Sequence, residues 1–133
     1  MSIIHSPKFL RVVLLVDAAT CVATGLLMTL GDDILARVTA IPASLLRYAG
    51  MSLFPVAIFI ALVGTRESIA PAGVWVVIIG NALWVAGSAL LVFGGMIAPN
   101  ALGYLVVSAQ AATVALLAEL EYFGLRKTLA VVH

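Results

Sequence analysis

The sequence predicts an all-α protein, a bundle of four transmembrane helices forming a single domain over residues 1–133. Three observations carry that expectation. Residues 68–118 contain no Asp, Glu, Lys or Arg. As one helix, rising about 1.5 Å per residue, that stretch would reach roughly 77 Å, far beyond a hydrocarbon core of about 30 Å. It must fold back on itself, and Gly94-Gly95-Met96-Ile97-Ala98-Pro99-Asn100 is the place where it can. Next, the chain is 64% hydrophobic and only 10% charged, against about a quarter charged in soluble domains. A soluble fold this short cannot hide so much apolar surface, because small domains keep a large share of their surface in water. Finally, the apolar runs lack the alternation and closed pairing of barrel strands, which leaves helices as the way to satisfy the backbone in lipid.

The first span is expected at about residues 9–30. Lys8 and Arg11, followed by Val12-Val13-Leu14-Leu15-Val16, look like the basic and apolar regions of a secretory signal. Asp17 interrupts that apolar core, so a retained span is the reading. In the connection 31–44, Gly31 is expected as the left-handed stop of the first helix, with Asp32 or Asp33 capping a second, shorter one. Ile34, Leu35, Val38 and Ile41 are spaced for a short helix along the bilayer surface. The second span covers about 45–63. Pro55 lies within it and should kink the helix, freeing a carbonyl near Met51. After a tight turn at Arg66-Glu67-Ser68 comes the third span, about 71–93, with Pro71 in its first turn, where the missing N–H costs nothing. The fourth covers about 101–123.

Lys8, Arg11, Arg66, Arg126 and Lys127 fall on one side of this plan, Arg37 and Arg47 on the other. The excess of positive charge in cytoplasmic loops then places both termini in the cytoplasm, with a bacterial inner membrane as the expected setting. Arg11, Arg47, Arg66, Arg126 and Lys127 are expected at the lipid-headgroup interface. For Arg47 the partners are a lipid phosphate, Asp32 or Asp33, or none beyond a snorkelling stem.

The two halves echo each other. A shift of 64 residues lays Asp17-Ala18 on Asn81-Ala82, Leu26-Leu27 on Leu90-Leu91 and Gly31 on Gly95, and Gly64-Thr65-Arg66 resembles Gly124-Leu125-Arg126. As a true repeat, two hairpins of one orientation would be related by an axis along the membrane normal.

The polar residues inside the spans are the candidate site. Asp17 is the strongest, because an acid in that region costs a few kcal/mol on insertion scales. Thr20, Cys21 and Thr24 follow at i+3, i+4 and i+7, making one polar stripe that should face the bundle. Its functional reading is a proton- or cation-coupled site. The structural alternative is an Asp that hydrogen-bonds a neighbouring helix. Glu119 on the fourth span is expected at similar depth, either sharing a proton with Asp17 or reaching the interface beside Lys127 or Arg66. Asn81, Trp84 and Ser88 make the matching stripe on the third span, and pairing of Asn81 with Asp17 is expected. Gln110 and Thr113 lie one turn apart on the fourth. Ala82, Ala86, Ala111, Ala112, Ala115 and Ala118 are small residues that let helices approach closely.

Other chemistry is thinly supported. The net charge of +1 offers no basic stripe for nucleic acid. Cys21 is the only cysteine, so no intrachain disulfide or thiolate cluster is expected. Both histidines, His5 and His133, are terminal, which leaves no strong haem ligand and no His site for a metal within the spans. No cofactor is expected. A hydrolase or oxidoreductase would have to run on Asp17, Glu119 and amides alone, so the chain is read as non-enzymatic.

Leu45-Leu46-Arg47-Tyr48-Ala49-Gly50 through Pro55, then Gly64-Thr65-Arg66, resembles small bacterial four-helix membrane proteins of the DoxX-like kind. The resemblance covers about a third of the chain together with its hydropathy plan, and implies the four-helix fold. Expected partners are membrane lipids and other transmembrane helices. The leading functional expectation is an accessory or structural subunit packed against a larger membrane complex or against itself, with a dry interior. Its rival is a small oligomeric proton-coupled transporter or channel centred on Asp17, which requires Asp17, Thr20, Thr24, Asn81, Ser88 and Gln110 to converge on one cavity. An enzyme acting on a lipid would instead need Asp17 and Glu119 within a few ångströms.

Overall fold

The computed structural model describes residues 7–132, with side-chain environments for residues 8–128; His5 and His133 lie outside them. The elements are α1 (Pro7–Leu30), α2 (Asp32–Thr39), α3 (Ala43–Thr65), α4 (Pro71–Phe93) and α5 (Ala101–Val132). Four segments within them are long and apolar enough to cross a membrane: Lys8–Leu30, Ala43–Thr65, Pro71–Phe93 and Ala101–Thr128. The chain is an all-α bundle of these four helices with the amphipathic α2 at one end. The fourth span runs past the expected limit at 123. Gly124 does not end it, because this glycine serves a contact: a Cβ there would sit 3.3 Å from the Leu10 Cα.

Two details of the α1–α2 corner differ from expectation. Gly31 is not left-handed; its φ of −105° and ψ of 19° carry the chain from one helix to the next with a single residue. A side chain is excluded there because a Cβ would lie 2.8 Å from the Leu27 carbonyl oxygen. The left-handed residue is Ala40, with φ 59°, which closes α2 by donating its N–H to Ala36. Neither Asp32 nor Asp33 caps α2. Gly31 holds the cap position without a side-chain bond, and Asp32 Oδ1 accepts from the N–H of Asp33 at 2.9 Å. At the other turn, Gly95 takes φ 78° and the Ile97 N–H reaches back to Leu91 O at 3.2 Å, satisfying carbonyls that the end of α4 leaves open.

Around the bundle the order is α3, α1, α5, α4. α1 packs along α3 and against α5, and α4 packs along α5, while α1 and α4 face each other across the diagonal. That is the arrangement a pair of hairpins related by an axis along the membrane normal would have. The α1–α3 seam is tight because it is built on glycines. A Cβ on Gly50 would come within 2.7 Å of Met28 Cβ, and one on Gly25 within 3.0 Å of the Gly50 carbonyl oxygen. The core joins Leu10, Leu14, Ala18 and Cys21 of α1 to Leu53, Ala57 and Ile60 of α3, Val74 and Val77 of α4, and Leu125 of α5.

α3 and α4 barely touch. They meet beside their connecting turn, where Val63 packs against Gly73, and then part. Pro55 lies within α3 and faces the resulting gap. At the far end, α2 is tied down by an Arg47–Asp32 ion pair at 2.6 Å and by Asn100. The Asn100 backbone N–H donates to Thr39 O at 3.0 Å and its side chain to Val38 O at 2.9 Å. Of the partners open to Arg47 in the sequence, Asp32 is the one it takes.

Candidate functional site

Asp17 and Asn81 each lie ten residues beyond the proline that opens their helix, about 15 Å along the axis, which sets both near half-depth. Both are buried, Asp17 to 2% exposure and Asn81 to 8%. Asn81 Nδ2 donates to Asp17 Oδ2 at 2.8 Å, so the expected Asn81–Asp17 pair is present. The same nitrogen donates to Glu121 Oε1 at 2.9 Å. Cys21, one turn along α1, directs its Sγ to Asp17 Oδ1 at 3.8 Å. Glu121 is completely buried, and its Oε2 is the one buried side-chain oxygen among the described residues without a hydrogen-bond partner. The Asp17 and Glu121 carboxyls are neighbours around the shared Asn81 nitrogen.

Glu119 does not belong to this layer. It is exposed, because two residues along a helix turn a side chain by about 200°. The acid beside Asp17 is Glu121. A signal for it exists in the sequence: Leu117, Glu121, Gly124 and Leu125 follow the i, i+4, i+7, i+8 spacing of a buried stripe, and all four are buried. Ending the span at 123 cut that stripe before Gly124 and Leu125, so Glu121 did not stand out.

A second polar cluster ties α4 to α5. Trp84 Nε1 donates to Gln110 Oε1 at 2.7 Å, and Gln110 Nε2 donates to Ser88 Oγ at 3.2 Å and to Val107 O at 3.0 Å. Ser88 donates in turn to Trp84 O at 2.8 Å. Thr20 and Thr113 satisfy their hydroxyls on their own helices, bonding Val16 O and Ala109 O at 2.8 and 2.9 Å. Neither therefore needs a partner across the bundle.

These clusters flank a cavity of about 590 Å³ in the gap between the two hairpins. Asp17, Thr20, Cys21 and Thr24 of α1, Ser52, Pro55 and Phe59 of α3, Gly80, Asn81 and Trp84 of α4, and Gln110 and Thr113 of α5 line it. Its mouth is the parted α3–α4 seam, where Val56, Phe59 and Val76 are exposed and Gly80 has no neighbour within 4 Å of a Cβ position. No Lys or Arg lines it. Ser88 and Glu119, both candidates in the sequence, are not among its walls; Ser88 acts one bond away, through Gln110.

The basic candidates separate. The Arg11 guanidinium donates to Gly64 O at 2.7 Å, Arg66 O at 2.6 Å and Glu67 O at 3.3 Å, gathering carbonyls left open at the end of α3. Arg126 stacks 5.7 Å above the Tyr122 ring, which meets Trp75 edge to face. Arg66 is exposed and Lys127 half-buried. Among the described residues no group of three or more His, Cys, Asp or Glu is placed to hold a metal ion.

Fold and site together define an integral membrane protein, a four-span helical bundle with an ionisable hydrogen-bonded centre beside a laterally open cavity. Compared with known protein families, with curated proteins and with solved structures, the chain matches none of them.

Proposed function

We propose that this protein is a small proton-coupled carrier, which takes a molecule from the bilayer into the α3–α4 cavity and couples its occupancy to a proton held between Asp17 and Glu121. One observation carries the reading: Asp17, Thr20, Thr24, Asn81 and Gln110 converge on a single cavity. A bundle selected only for packing would gain by filling that space, since lost contacts and an acid at this depth each cost stability. The volume lies within the range of pockets that enclose small organic molecules. Two carboxylates around one amide in a dry interior repel each other without a cation between them, and one shared proton removes that repulsion. The excess of Lys and Arg on one side supports cytoplasmic termini, and the likeness to DoxX-like proteins supports a bacterial inner membrane.

A second reading, an accessory subunit packed against a larger complex or a second copy, draws on the outer α1–α3 face. There Ala18, Ala19, Val22, Phe54, Ala57 and Ala61 form a shallow groove of the small-residue kind that another helix fits.

Native mass spectrometry of the protein extracted gently from its own membrane separates the two. The carrier reading expects a bound small molecule that is lost when Gly80→Phe fills the cavity mouth. A defined larger assembly whose cavity carries nothing would overturn it in favour of the subunit.

A further inference from the structure

The cavity and the acid pair share a charge balance that names a ligand class. We propose that the cavity binds a lipophilic organic cation in one-for-one exchange with the proton held between Asp17 and Glu121. This rests on the carrier reading and specifies its cargo.

Three features point to a cation. The cavity wall is mostly aliphatic and aromatic, with Phe59 of α3 and Trp84 of α4 both lining it. Aromatic faces attract organic cations, most strongly where water is excluded. The only acid in the wall is Asp17, and no base offsets it. The nearest arginine along α1, Arg11, already spends its guanidinium on the carbonyls of Gly64, Arg66 and Glu67. An anion would meet carboxyl oxygens without a counter-charge, and a neutral apolar molecule would leave the polar floor without a partner.

The proton has a definite place to go. Asn81 supplies both amide hydrogens to the acids, one to each, which leaves Glu121 Oε2 without a donor. A single proton between Glu121 and Asp17 turns a contact between two acceptors into a hydrogen bond. When a cation enters, the O–H bond breaks, the proton leaves to water and the carboxylate becomes the counter-ion. One positive charge replaces another, so the site remains balanced. The groups facing the pair are Cys21 on α1, Asn81 on α4 and each other; α3 contributes no titratable side chain to the cavity, only apolar ones such as Leu53 and Ile60 and the Ser52 hydroxyl, which bonds Ala49 O on its own helix. Cys21 donates its thiol to Asp17 Oδ1 at 3.8 Å, and the exchanging proton is assigned to the carboxyls.

Two probes of similar shape test this on the purified full chain in detergent: tetraphenylphosphonium, which is charged, and triphenylphosphine oxide, which is neutral. Calorimetry in buffers of different ionisation enthalpy counts protons released, and Trp84 emission in a Trp75→Phe background reports occupancy. The expected result is tetraphenylphosphonium bound at least tenfold more tightly than the oxide, with up to one proton released and affinity rising toward tenfold per pH unit. Glu121→Gln should abolish the proton release while the emission of Trp84 before ligand remains that of the parent; Asp17→Asn, compared in the same way, should weaken the cation at least tenfold. Equal binding of both probes without proton release would overturn the cation exchange and leave a carrier of neutral molecules. Binding of neither, with Trp84 emission unmoved, would overturn the carrier reading itself.

Discussion

Asn81 and Asp17 stand 64 positions apart and meet across the diagonal of the bundle at 2.8 Å. The same offset separates Pro7 and Pro71, which open α1 and α4. Residues related by a twofold axis along the membrane normal meet each other only near that axis, so the contact fits a duplicated hairpin with its polar centre at the axis. The symmetry is broken where it would matter for entry: the α1–α5 seam is packed while its counterpart, α3–α4, is parted.

Asn81→Leu removes the shared donor and leaves two buried carboxyls without it. A cost of about 1–3 kcal/mol is expected, the penalty for leaving buried acceptors unmade. Combined with Asp17→Asn, the two changes should fall short of additivity by roughly 0.5–2 kcal/mol, because both act on the same contact, one removing its donor and the other weakening its acceptor. Unfolding in mixed micelles with increasing SDS measures both. Strict additivity would mean that the pair does not act as a unit.

The bond from Trp84 Nε1 to Gln110 Oε1 makes Gln110→Leu informative. The indole N–H loses its acceptor in an apolar wall, so Trp84 emission in a Trp75→Phe background should shift to the blue. Stability should fall by about 1 kcal/mol, typical of a bond between membrane helices. An unmoved spectrum would show that the indole was not bonded to this side chain.

Four spans, the Pro71 start of the third and the Asp17–Asn81 meeting were legible because each rests on a local pattern: length of apolar run, missing N–H, or a polar residue in a span with one natural partner. Glu121 was not legible, since hydropathy decides depth from the end of a span and α5 continues well past Phe123. The buried stripe through Leu117 and Leu125 carried the information that hydropathy lacked. The partners of Arg11 were not legible for a related reason. Its place beside the membrane boundary reads as a headgroup contact, whereas its partners, the carbonyls ending α3, lie more than fifty residues away in sequence and emerge only once α1 and α3 pack.

Two glycines make opposite predictions. A Cβ on Gly103 would overlap the Thr39 carbonyl oxygen and the Pro99 ring, neither of which yields without moving α2 from the start of α5. Gly103→Ala should therefore destabilise by about 1–3 kcal/mol, as overpacking does. Gly80 has nothing within 4 Å of a Cβ position, so Gly80→Ala should gain about 0.5–1 kcal/mol from reduced backbone freedom. Thermal unfolding of the two variants side by side checks the signs. A stabilised Gly103→Ala would mean that α2 is not held against the start of α5.

The Arg47–Asp32 pair sets a pH dependence at the α2 end. The Arg47 hydrogen bond, first among the causes, holds the Asp32 carboxyl below its usual range. Asp32 thus binds a proton less readily folded than unfolded, and its contribution to stability is fully present above the unfolded value of about 3.9. That contribution is lost as pH falls through the lower folded value. Arg47→Gln should melt below the parent at pH 7, with the gap narrowing progressively below about pH 4. Because the Arg47 side chain is 49% exposed, 1 M salt should narrow the gap at pH 7 as well. Melting temperatures of both proteins from pH 7 down to pH 2.5, each at low and high salt, are the measurement. A gap that stays constant with pH would assign the Arg47 effect to packing of its stem rather than to the ion pair.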